Sequence, residues 1–186
     1  FKIFFYDFRN KLIFNMVDPF QSKSFFRCIS SRKIIKCSVE DLWSIISSQS
    51  NLELFHPYCK RNNAIIWNGN ESEDELEYLN GRKMKRKFVR WEEGIGYDLY
   101  INQIGKPRSF VSWRITKIKE ASEIKITVYP YLFNKKYKMV MFLPFYSFVY
   151  PLLKNYLNSV VSGLESYLNT NCPVKKNQFG RHVWFS

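Results

Sequence analysis

The sequence predicts an α+β domain in which a curved antiparallel sheet of about six to seven strands wraps around one long C-terminal helix. Three observations support this fold class. Two short helical segments lie early, within 38–57; alternating, aromatic-rich strands follow through 61–133; and one apolar-faced helix over 152–168 closes the domain. Strands that wrap around a single late helix usually enclose a hollow, so we expect a ligand cavity between the sheet and the helix.

Length and composition indicate a single domain. The chain has 186 residues, of which 46% are apolar and 18% aromatic, so one hydrophobic core is expected. We expect residues 24–170 to form this domain and residues 171–186 to pack on it as a tail. Residues 1–23 are expected to be an N-terminal extension that is foreign to the native protein or poorly ordered, with Met16 as the natural start.

The first elements are a strand over 24–35 and two short helices. Ser38 predicts the start of the first helix because a serine hydroxyl can accept a hydrogen bond from a free N–H group of the first turn. Asp41, three residues later, completes a capping box with a short acid. The second helix is expected to end before Pro57, since a residue that precedes proline disfavours helical backbone.

The strands are separated by turn residues. The strongest signal is Asn80-Gly81, a pair typical of a two-residue hairpin. In chain order, the remaining strands are predicted over 62–68, 75–79, 83–91, 97–102, 109–119 and 123–132.

The closing helix is predicted to begin near Pro151, because proline fits the first helical turn. Gly163 interrupts it, and we expect close approach to the sheet to be the reason. One apolar stripe follows spacings of three and four residues, and its members are Leu153, Tyr156, Leu157, Val160, Val161, Leu164 and Leu168.

The formal net charge is +13, which favours an anionic partner. An acidic membrane surface is the expected partner of this kind, and nucleic acid is not expected. The acidic run over 71–77 and the basic run over 82–90 are predicted to face each other across the hairpin as a solvated surface. From residue 135 onward there are seven basic residues and one acidic residue, so that end is expected to face the anion.

Several function classes lack their sequence signals. No segment reaches the roughly 20 apolar residues of a membrane span, and the N-terminal segment has charges where a signal peptide needs an unbroken apolar centre. The four cysteines have no metal-binding spacing, so we expect no metal and reduced thiols. No phosphate-binding or dinucleotide-binding loop is present, so no cofactor is expected. We expect a cytoplasmic protein with peripheral membrane contact.

The order of the segments carries a family resemblance. The pieces are SVEDLWSIIS after the first strand, NLELFHPYC, the hairpin NGRKMKRKFVRWEEG, the helix PLLKNYLNSVVSGLESYL and the tail NCPVKKNQFGRHVWFS. Together they resemble the START-type helix-grip superfamily, the SRPBCC group, which includes polyketide cyclase/dehydrase-like proteins and a bacterial-type subgroup of unassigned function. The resemblance implies the helix-grip fold with an apolar cavity between sheet and helix.

His56 is the candidate catalytic residue. It ends the second short helix beside Pro57, and a histidine at the cavity mouth would act as a general acid or base near neutral pH. The alternative is a helix-terminal histidine bonded to a backbone carbonyl.

Seven residues are candidates for ligand binding. Tyr58, Tyr100 and Trp113 either line the cavity or belong to the core; Tyr97 and Tyr100 alternate, so at most one of them points inward. Arg90 and Arg114 would bind a carboxylate or phosphate if they point inward, and would be solvated if they point outward. Phe145 and Phe148 lie in the apolar stretch 139–153. Its two prolines predict that the stretch is a poor continuous helix. It would therefore be a lid over the cavity, a membrane-touching loop or a buried connection.

The leading functional expectation is a non-enzymatic module that binds or transports a hydrophobic small molecule, such as a lipid, a polyketide-like compound or an isoprenoid. The first alternative is a cyclase or dehydratase-type enzyme that acts on a hydrophobic carbonyl substrate through His56. The second alternative is a basic adaptor for an anionic membrane or nucleic acid.

Overall fold

A single antiparallel sheet frames the molecule. The computed structural model describes residues 25–133 and 139–186, so the expected extension over 1–23 and part of the basic C-terminal region, 134–138, lie outside the described residues. The sheet has seven strands in the order β1-β7-β6-β5-β4-β3-β2. The strands are β1 (Ile29–Ile35), β2 (Cys59–Ile66), β3 (Glu73–Tyr78), β4 (Lys83–Glu92), β5 (Gly96–Asn102), β6 (Ser109–Ile118) and β7 (Ala121–Tyr129). The predicted α+β class and the curved sheet are therefore confirmed.

Two short helices follow β1, as predicted. Helix α1 (Val39–Ile46) starts at Ser38, whose hydroxyl accepts a hydrogen bond from the Asp41 N–H group at 2.9 Å and donates to the Asp41 carboxylate at 2.7 Å. The Ser38 side-chain cap thus sets the start of α1, while the Asp41 carboxylate contacts the Ser38 hydroxyl and not the Ser38 N–H group that a full capping box requires. Helix α2 (Leu52–Phe55) ends at His56, before Pro57.

The long helix α3 (Tyr150–Thr170) lies against the inner face of the sheet and buries the predicted stripe. Leu153, Leu157, Val160 and Leu164 are among its buried residues. Helix α3 supplies one wall of the core, and the inward side chains of the strands supply the other. Among the residues that the structure describes, no helix is both long and apolar enough to cross a membrane.

Pro144, before α3, and Pro151, in its first turn, do not break the helical path, which corrects the sequence expectation of a poor continuous helix. A short helical turn over Phe142–Pro144 and a π-helical turn over Phe145–Val149 lead directly into α3. The Tyr150 N–H group donates to the Phe145 carbonyl, five residues back. Pro151 is the second residue of α3 and follows directly on the π-helical turn, so its missing N–H group falls where the hydrogen-bond pattern changes from π-helical to α-helical.

Gly163 allows close contact with helix α2, which corrects the expected approach to the sheet. A Cβ atom built on Gly163 would lie 2.0 Å from the Phe55 carbonyl oxygen. Any side chain at this position would therefore push α3 away from the end of α2. This contact fixes the position of His56, the next residue after Phe55, against α3.

The acidic and basic runs pair across the β3–β4 hairpin, as predicted. Lys85 and Lys87 both contact Glu73, at 2.6 and 3.1 Å, and Lys83 contacts Glu75 at 3.3 Å. The expectation of a fully solvated surface is wrong for one pair, since Asp74 and Arg86 are both buried on the inner face. Most of the basic run is thus neutralised within the hairpin.

A β-bulge at Val89 changes the direction of the following side chains. In the β4–β5 pairing, Phe88 lies opposite Leu99 and Arg90 lies opposite Asp98, so Val89 is an extra residue. Strict alternation would place Arg90 on the same face as Phe88. The bulge instead turns Arg90 outward and brings Trp91 into the core cluster around Tyr97.

Candidate ligand cavity

A cavity of about 160 Å³ lies between α3 and the inner face of the sheet. For comparison, a dry apolar cavity of roughly 150 Å³ accepts a benzene-sized guest. The wall is mainly apolar, with side chains from Leu76, Leu99, Val111, Trp113, Ile126, Val128, Leu153, Leu157 and Val160. Exposed lining residues mark its mouth, and these are Arg82, Gln103, Lys106 and Leu132. The space is therefore small, and its wall is largely apolar.

His56 lines the cavity but lies deep in the protein, where it is buried, and not at the mouth. Its Nδ1 atom accepts a hydrogen bond from the Tyr58 N–H group at 3.2 Å, and its Nε2 atom lies 2.7 Å from the Tyr156 hydroxyl. The expected place at the cavity mouth is therefore not found. Burial, together with the nearby charge of Arg86, lowers the pKa of His56 to about 3. The expected titration near neutral pH is therefore wrong.

A chain of hydrogen bonds extends from His56 through two tyrosines. The Tyr156 hydroxyl lies 3.0 Å from the Tyr78 hydroxyl, and both residues line the cavity. Burial raises the pKa of Tyr78 to about 12 and that of Tyr156 well above its usual value. All three groups are therefore neutral at physiological pH.

His56, Tyr156 and Tyr78 together have more protons to donate than they have hydrogen bonds with one another. Because Nδ1 of His56 accepts from a backbone N–H group, the neutral ring carries its proton on Nε2 and donates to Tyr156. The three groups hold three protons but make only two hydrogen bonds with one another. One tyrosine O–H group is thus left without an acceptor among these three groups, and both tyrosines line the cavity.

A buried guanidinium adds a second donor. Arg86 lines the cavity, and its Nε donates to Asp74 Oδ1 at 2.7 Å while one Nη donates to Asp74 Oδ2. Burial acts to lower the pKa of Arg86, but the Asp74 carboxylate outweighs it and raises that pKa. Within the described residues the second Nη of Arg86 makes no hydrogen bond. The polar end of the cavity therefore presents N–H and O–H donors for an acceptor atom.

The C-terminal tail closes one side of this polar end. Phe185 stacks on Tyr78, with 4.4 Å between ring centroids, and lies 4.6 Å from the Tyr156 ring. The His182 Nε2 atom lies 3.0 Å from the Leu152 carbonyl oxygen on α3. Earlier in the tail, the Val174 N–H group donates to the Leu54 carbonyl in α2, and the Asn177 N–H group donates to the Pro57 carbonyl just after α2. Trp184 and Phe185 contribute directly to the cavity wall.

Two of the predicted core aromatics take different places. Trp113 lines the cavity as expected for an inward residue of β6. Tyr58 does not line it, because its hydroxyl donates to Ser159 at 3.0 Å and its ring stacks on Tyr156. Tyr58 therefore supports the ring that carries the donor, without contact with the cavity.

Three predicted ligand-binding residues lie on the outer face of the sheet. Arg114 donates to the buried Asp98 carboxylate at 2.7 Å, and Arg90 pairs with Glu92 at 2.6 Å. Tyr100 packs against Arg108, with 4.0 Å between the guanidinium carbon and the ring centroid. Of the two directions left open for these arginines, the outward one is found, because Arg114 alternates with the inward Trp113 and because the bulge at Val89 reverses Arg90.

Phe145 and Phe148 do not belong to the cavity wall. Phe145 is fully buried beneath the Arg27 guanidinium, which lies 5.5 Å from its ring centroid, and it does not line the cavity. Phe148 is 65% exposed and faces away from the core.

Apart from His56, the residues that form the polar end were not among the sequence-based candidates. Arg86 lies two residues before Phe88 in a strand, and Tyr78 lies two residues after Leu76, so simple alternation places both inward. Tyr156 belongs to the apolar stripe of α3, and the stripe alone gives no reason to single out its hydroxyl. For Arg86 and Tyr78, in contrast, a signal was present in the sequence.

Comparison with known proteins shows similarity in structure and not in sequence. No protein-family profile and no curated protein sequence matches the chain. DynU16, a protein from the dynemicin biosynthetic locus, is similar with a TM-score of 0.60 and 14% identity, over 78% of this chain and 48% of that one. This chain therefore spans about half the length of DynU16.

Two further solved structures match over most of their own length. XoxI from Bacillus cereus has a TM-score of 0.62 and 11% identity, over 78% of this chain and 98% of that one. CalU16 from Micromonospora echinospora has a TM-score of 0.54 and 12% identity, over 78% of each chain. At this identity the likeness concerns the fold alone, and it shows that the chain has the helix-grip fold.

Proposed function

We propose that this protein binds a compact hydrophobic molecule that has an acceptor oxygen at one end, and that it is a divergent member of the SRPBCC superfamily. The observation that carries the proposal is the set of unused donors at the end of an apolar cavity. Apolar burial would supply the affinity, and the hydrogen bonds would set the orientation of the guest.

The volume of the cavity restricts the class of guest. At about 160 Å³, the space suits one or two small rings or a short branched chain. A polyketide-like ring compound or a short isoprenoid fits this description better than a long-chain lipid. Because Asp74 already neutralises Arg86, a neutral carbonyl or phenol oxygen suits the donors at least as well as a carboxylate.

Proton-transfer catalysis by His56 has less support. A general base works best when its pKa lies near the operating pH, and the pKa of His56 is lowered to about 3. The tyrosine hydroxyl and Arg86 would still polarise a carbonyl group, so a cyclase or dehydratase activity would have to use these donors. The geometry therefore favours binding or transport over chemistry.

Charge-driven binding of nucleic acid has less support still. The lysines of the basic run on β4 are paired with Glu73 and Glu75 across the hairpin, and Arg86 is buried with Asp74 on the inner face. These pairs leave little free positive charge on the outer face of the hairpin.

Native mass spectrometry of the full chain tests the proposal. The protein is incubated with a panel of small polyketide-like phenols, short isoprenoid alcohols and ketones, and long-chain fatty acids. We expect the compact oxygenated compounds to be retained and the long-chain acids to be excluded. Retention of none of the compact compounds would contradict the proposal.

A pair of variants locates the binding. Val128→Phe places a ring within the cavity wall, so it should abolish retention of the guest. Val89→Phe adds the same ring on the exposed bulge, and it should leave retention unchanged. Equal retention by both variants would place the bound molecule outside the cavity.

A further inference from the structure

A group of large apolar side chains is exposed at one end of the molecule. Met139 is 91% exposed, Leu143 70% and Phe148 65%, and Ile104 at the tip of the β5–β6 loop is 82% exposed. Other members of the group are Phe26, Leu132, Phe133, Val140, Phe142, Tyr146 and Tyr150. We call this set the apolar rim. Exposed apolar side chains that gather at one place mark an interaction surface.

The apolar rim surrounds the mouth of the cavity. The antiparallel register brings the segment before β1, the β3–β4 turn, the β5–β6 loop and the segment after β7 to the same end of the sheet. Leu132 belongs both to the rim and to the cavity wall. Arg27 joins two parts of the rim, since its Nη1 donates to the Phe133 carbonyl at 3.0 Å and its guanidinium lies over Phe145.

The charge at this end is entirely positive within the described segments. The segments over 25–28, 79–82, 103–108, 130–133 and 139–150 contain four basic residues and no acidic residue. The basic residues are Arg27, Arg82, Lys106 and Arg108. An apolar surface with only positive charge around it is complementary to an anionic lipid surface.

The connections at the opposite end of the sheet carry charges of both signs. These connections, over 36–38, 67–72, 93–95 and 119–120, carry three glutamates and two lysines. Of the connections at the two ends of the sheet, those around the cavity mouth therefore carry the net positive charge.

We propose that the apolar rim docks on the surface of an anionic phospholipid bilayer, with the cavity mouth toward the lipid. Met139, Leu143 and Phe148 lie within ten residues of chain and face solvent, so they can enter the boundary between headgroups and acyl chains. Tyr146 and Tyr150 are partly exposed aromatic residues with a polar tip, the kind that sits at the headgroup level. The surrounding arginines and lysine contact lipid phosphates. A hydrophobic guest then passes between bilayer and cavity without crossing water.

Vesicle sedimentation with the full chain tests this docking. The vesicles are phosphatidylcholine alone, and phosphatidylcholine mixed with phosphatidylglycerol. At low salt we expect binding to the mixed vesicles to be tighter by about tenfold or more, and to weaken severalfold as salt is raised. Absence of binding to mixed vesicles, or equal binding to both kinds, would overturn the proposal.

A double variant and its matched control identify the surface. Phe142→Ser with Leu143→Ser removes two exposed apolar side chains, and we expect binding to mixed vesicles to fall by about tenfold or more. Ile65→Ser with Ile66→Ser removes two exposed apolar side chains from β2, on the far edge of the sheet, and should leave binding unchanged. Circular dichroism of each variant confirms that it is folded. Equal binding by both double variants would overturn the proposal.

Two further measurements distinguish docking on lipid from self-association and from uptake of lipid into the cavity. Sedimentation velocity without lipid should show that the wild type and the Phe142→Ser, Leu143→Ser variant have the same oligomeric state. Self-association of the wild type that the variant loses would assign the rim to contact with a second copy of the chain. Val128→Phe, which fills the cavity, should still bind mixed vesicles. Loss of vesicle binding in this folded variant would mean that lipid is held by the cavity and not by the rim.

Discussion

The Nε2 atom of His56 lies 2.7 Å from the hydroxyl of Tyr156, in a chain that has only two histidines. Burial and Arg86 lower the pKa of His56 to about 3, whereas an unfolded histidine titrates near 6.5. At a pH between these two values, His56 is protonated in the unfolded state and neutral in the folded state. Folding stability must therefore fall as the pH falls through this window.

The first prediction concerns this pH dependence. Lowering the pH from about 7 to about 5 should remove about 2 kcal/mol from the free energy of unfolding through His56 alone. His56→Gln cannot be protonated, so its stability should change much less over the same range. Urea unfolding at the two pH values measures the difference.

The second histidine is the control for this prediction. Burial also lowers the pKa of His182, but that residue lies outside the hydrogen-bond chain of the tyrosines. His182→Gln should keep the share of the pH dependence that comes from His56. A His56→Gln protein with the full pH dependence of the wild type would show that the buried imidazole is not its source.

The second prediction concerns the contact between Gly163 and Phe55. Alanine is better than glycine in a helix by about 1 kcal/mol, so Gly163→Ala would stabilise an isolated helix. Here the added Cβ would lie 2.0 Å from a backbone oxygen that cannot rotate away. We expect the clash to outweigh the helix preference and to lower the free energy of unfolding by about 1–3 kcal/mol, measured by urea unfolding.

A neighbouring residue of α3 provides the comparison for Gly163→Ala. Ser162 is half-buried, and Ser162→Ala should change the free energy of unfolding by no more than about 1 kcal/mol. If Gly163→Ala were as stable as the wild type or more stable, α2 and α3 would not be held in contact at this point.

The third prediction separates stability from binding at Arg86. Arg86→Met leaves the fully buried Asp74 carboxylate without a partner, and should lower the free energy of unfolding by about 3–5 kcal/mol. The double variant Arg86→Met, Asp74→Leu removes both charges and should recover most of that loss. Neither variant should retain an oxygenated guest as the wild type does, because the guanidinium donor is missing.

Urea unfolding and native mass spectrometry of the same samples measure the two effects. Lys83→Met is the control, since Lys83 forms an exposed pair with Glu75 on the outer side of the same hairpin. It should change stability by no more than about 1 kcal/mol and leave binding intact. Full retention of the guest by the double variant would remove Arg86 from the binding site.

Local signals in the sequence predicted those parts of the fold that are determined locally. The Ser38 cap, the Asn80-Gly81 turn and the stripe on α3 depend on residues within one or two turns of one another, and all three are found. The bulge at Val89 depends on pairing with β5, so the alternation along β4 gave no sign of it. For the same reason the sequence left the direction of Arg90 open, whereas the structure places it beside Asp98 on the outer face.

The polar end of the cavity could be predicted only in part. Alternation places Arg86 and Tyr78 inward, but it cannot show that they meet Tyr156 and His56, which come from distant parts of the chain. The low pKa of His56 is equally non-local, because it depends on burial by α3 and the tail and on the charge of Arg86. The position of His56 beside a proline at a helix end therefore indicated a residue that lines the cavity. It did not indicate that the imidazole is buried below the mouth or that its pKa is lowered.

The last prediction concerns the tail as a wall of the cavity. Phe185 is buried against Tyr78 and Tyr156, so Phe185→Ala should lower the free energy of unfolding by about 3 kcal/mol and open the polar end to water. A bound guest should then dissociate faster, as measured by exchange against a second guest in native mass spectrometry. Phe179→Ala removes a partly exposed ring from the same tail and should leave both stability and exchange nearly unchanged. An unchanged exchange rate in Phe185→Ala would mean that the guest enters and leaves only by the mouth between Lys106 and Leu132, and that the tail has no part in retaining it.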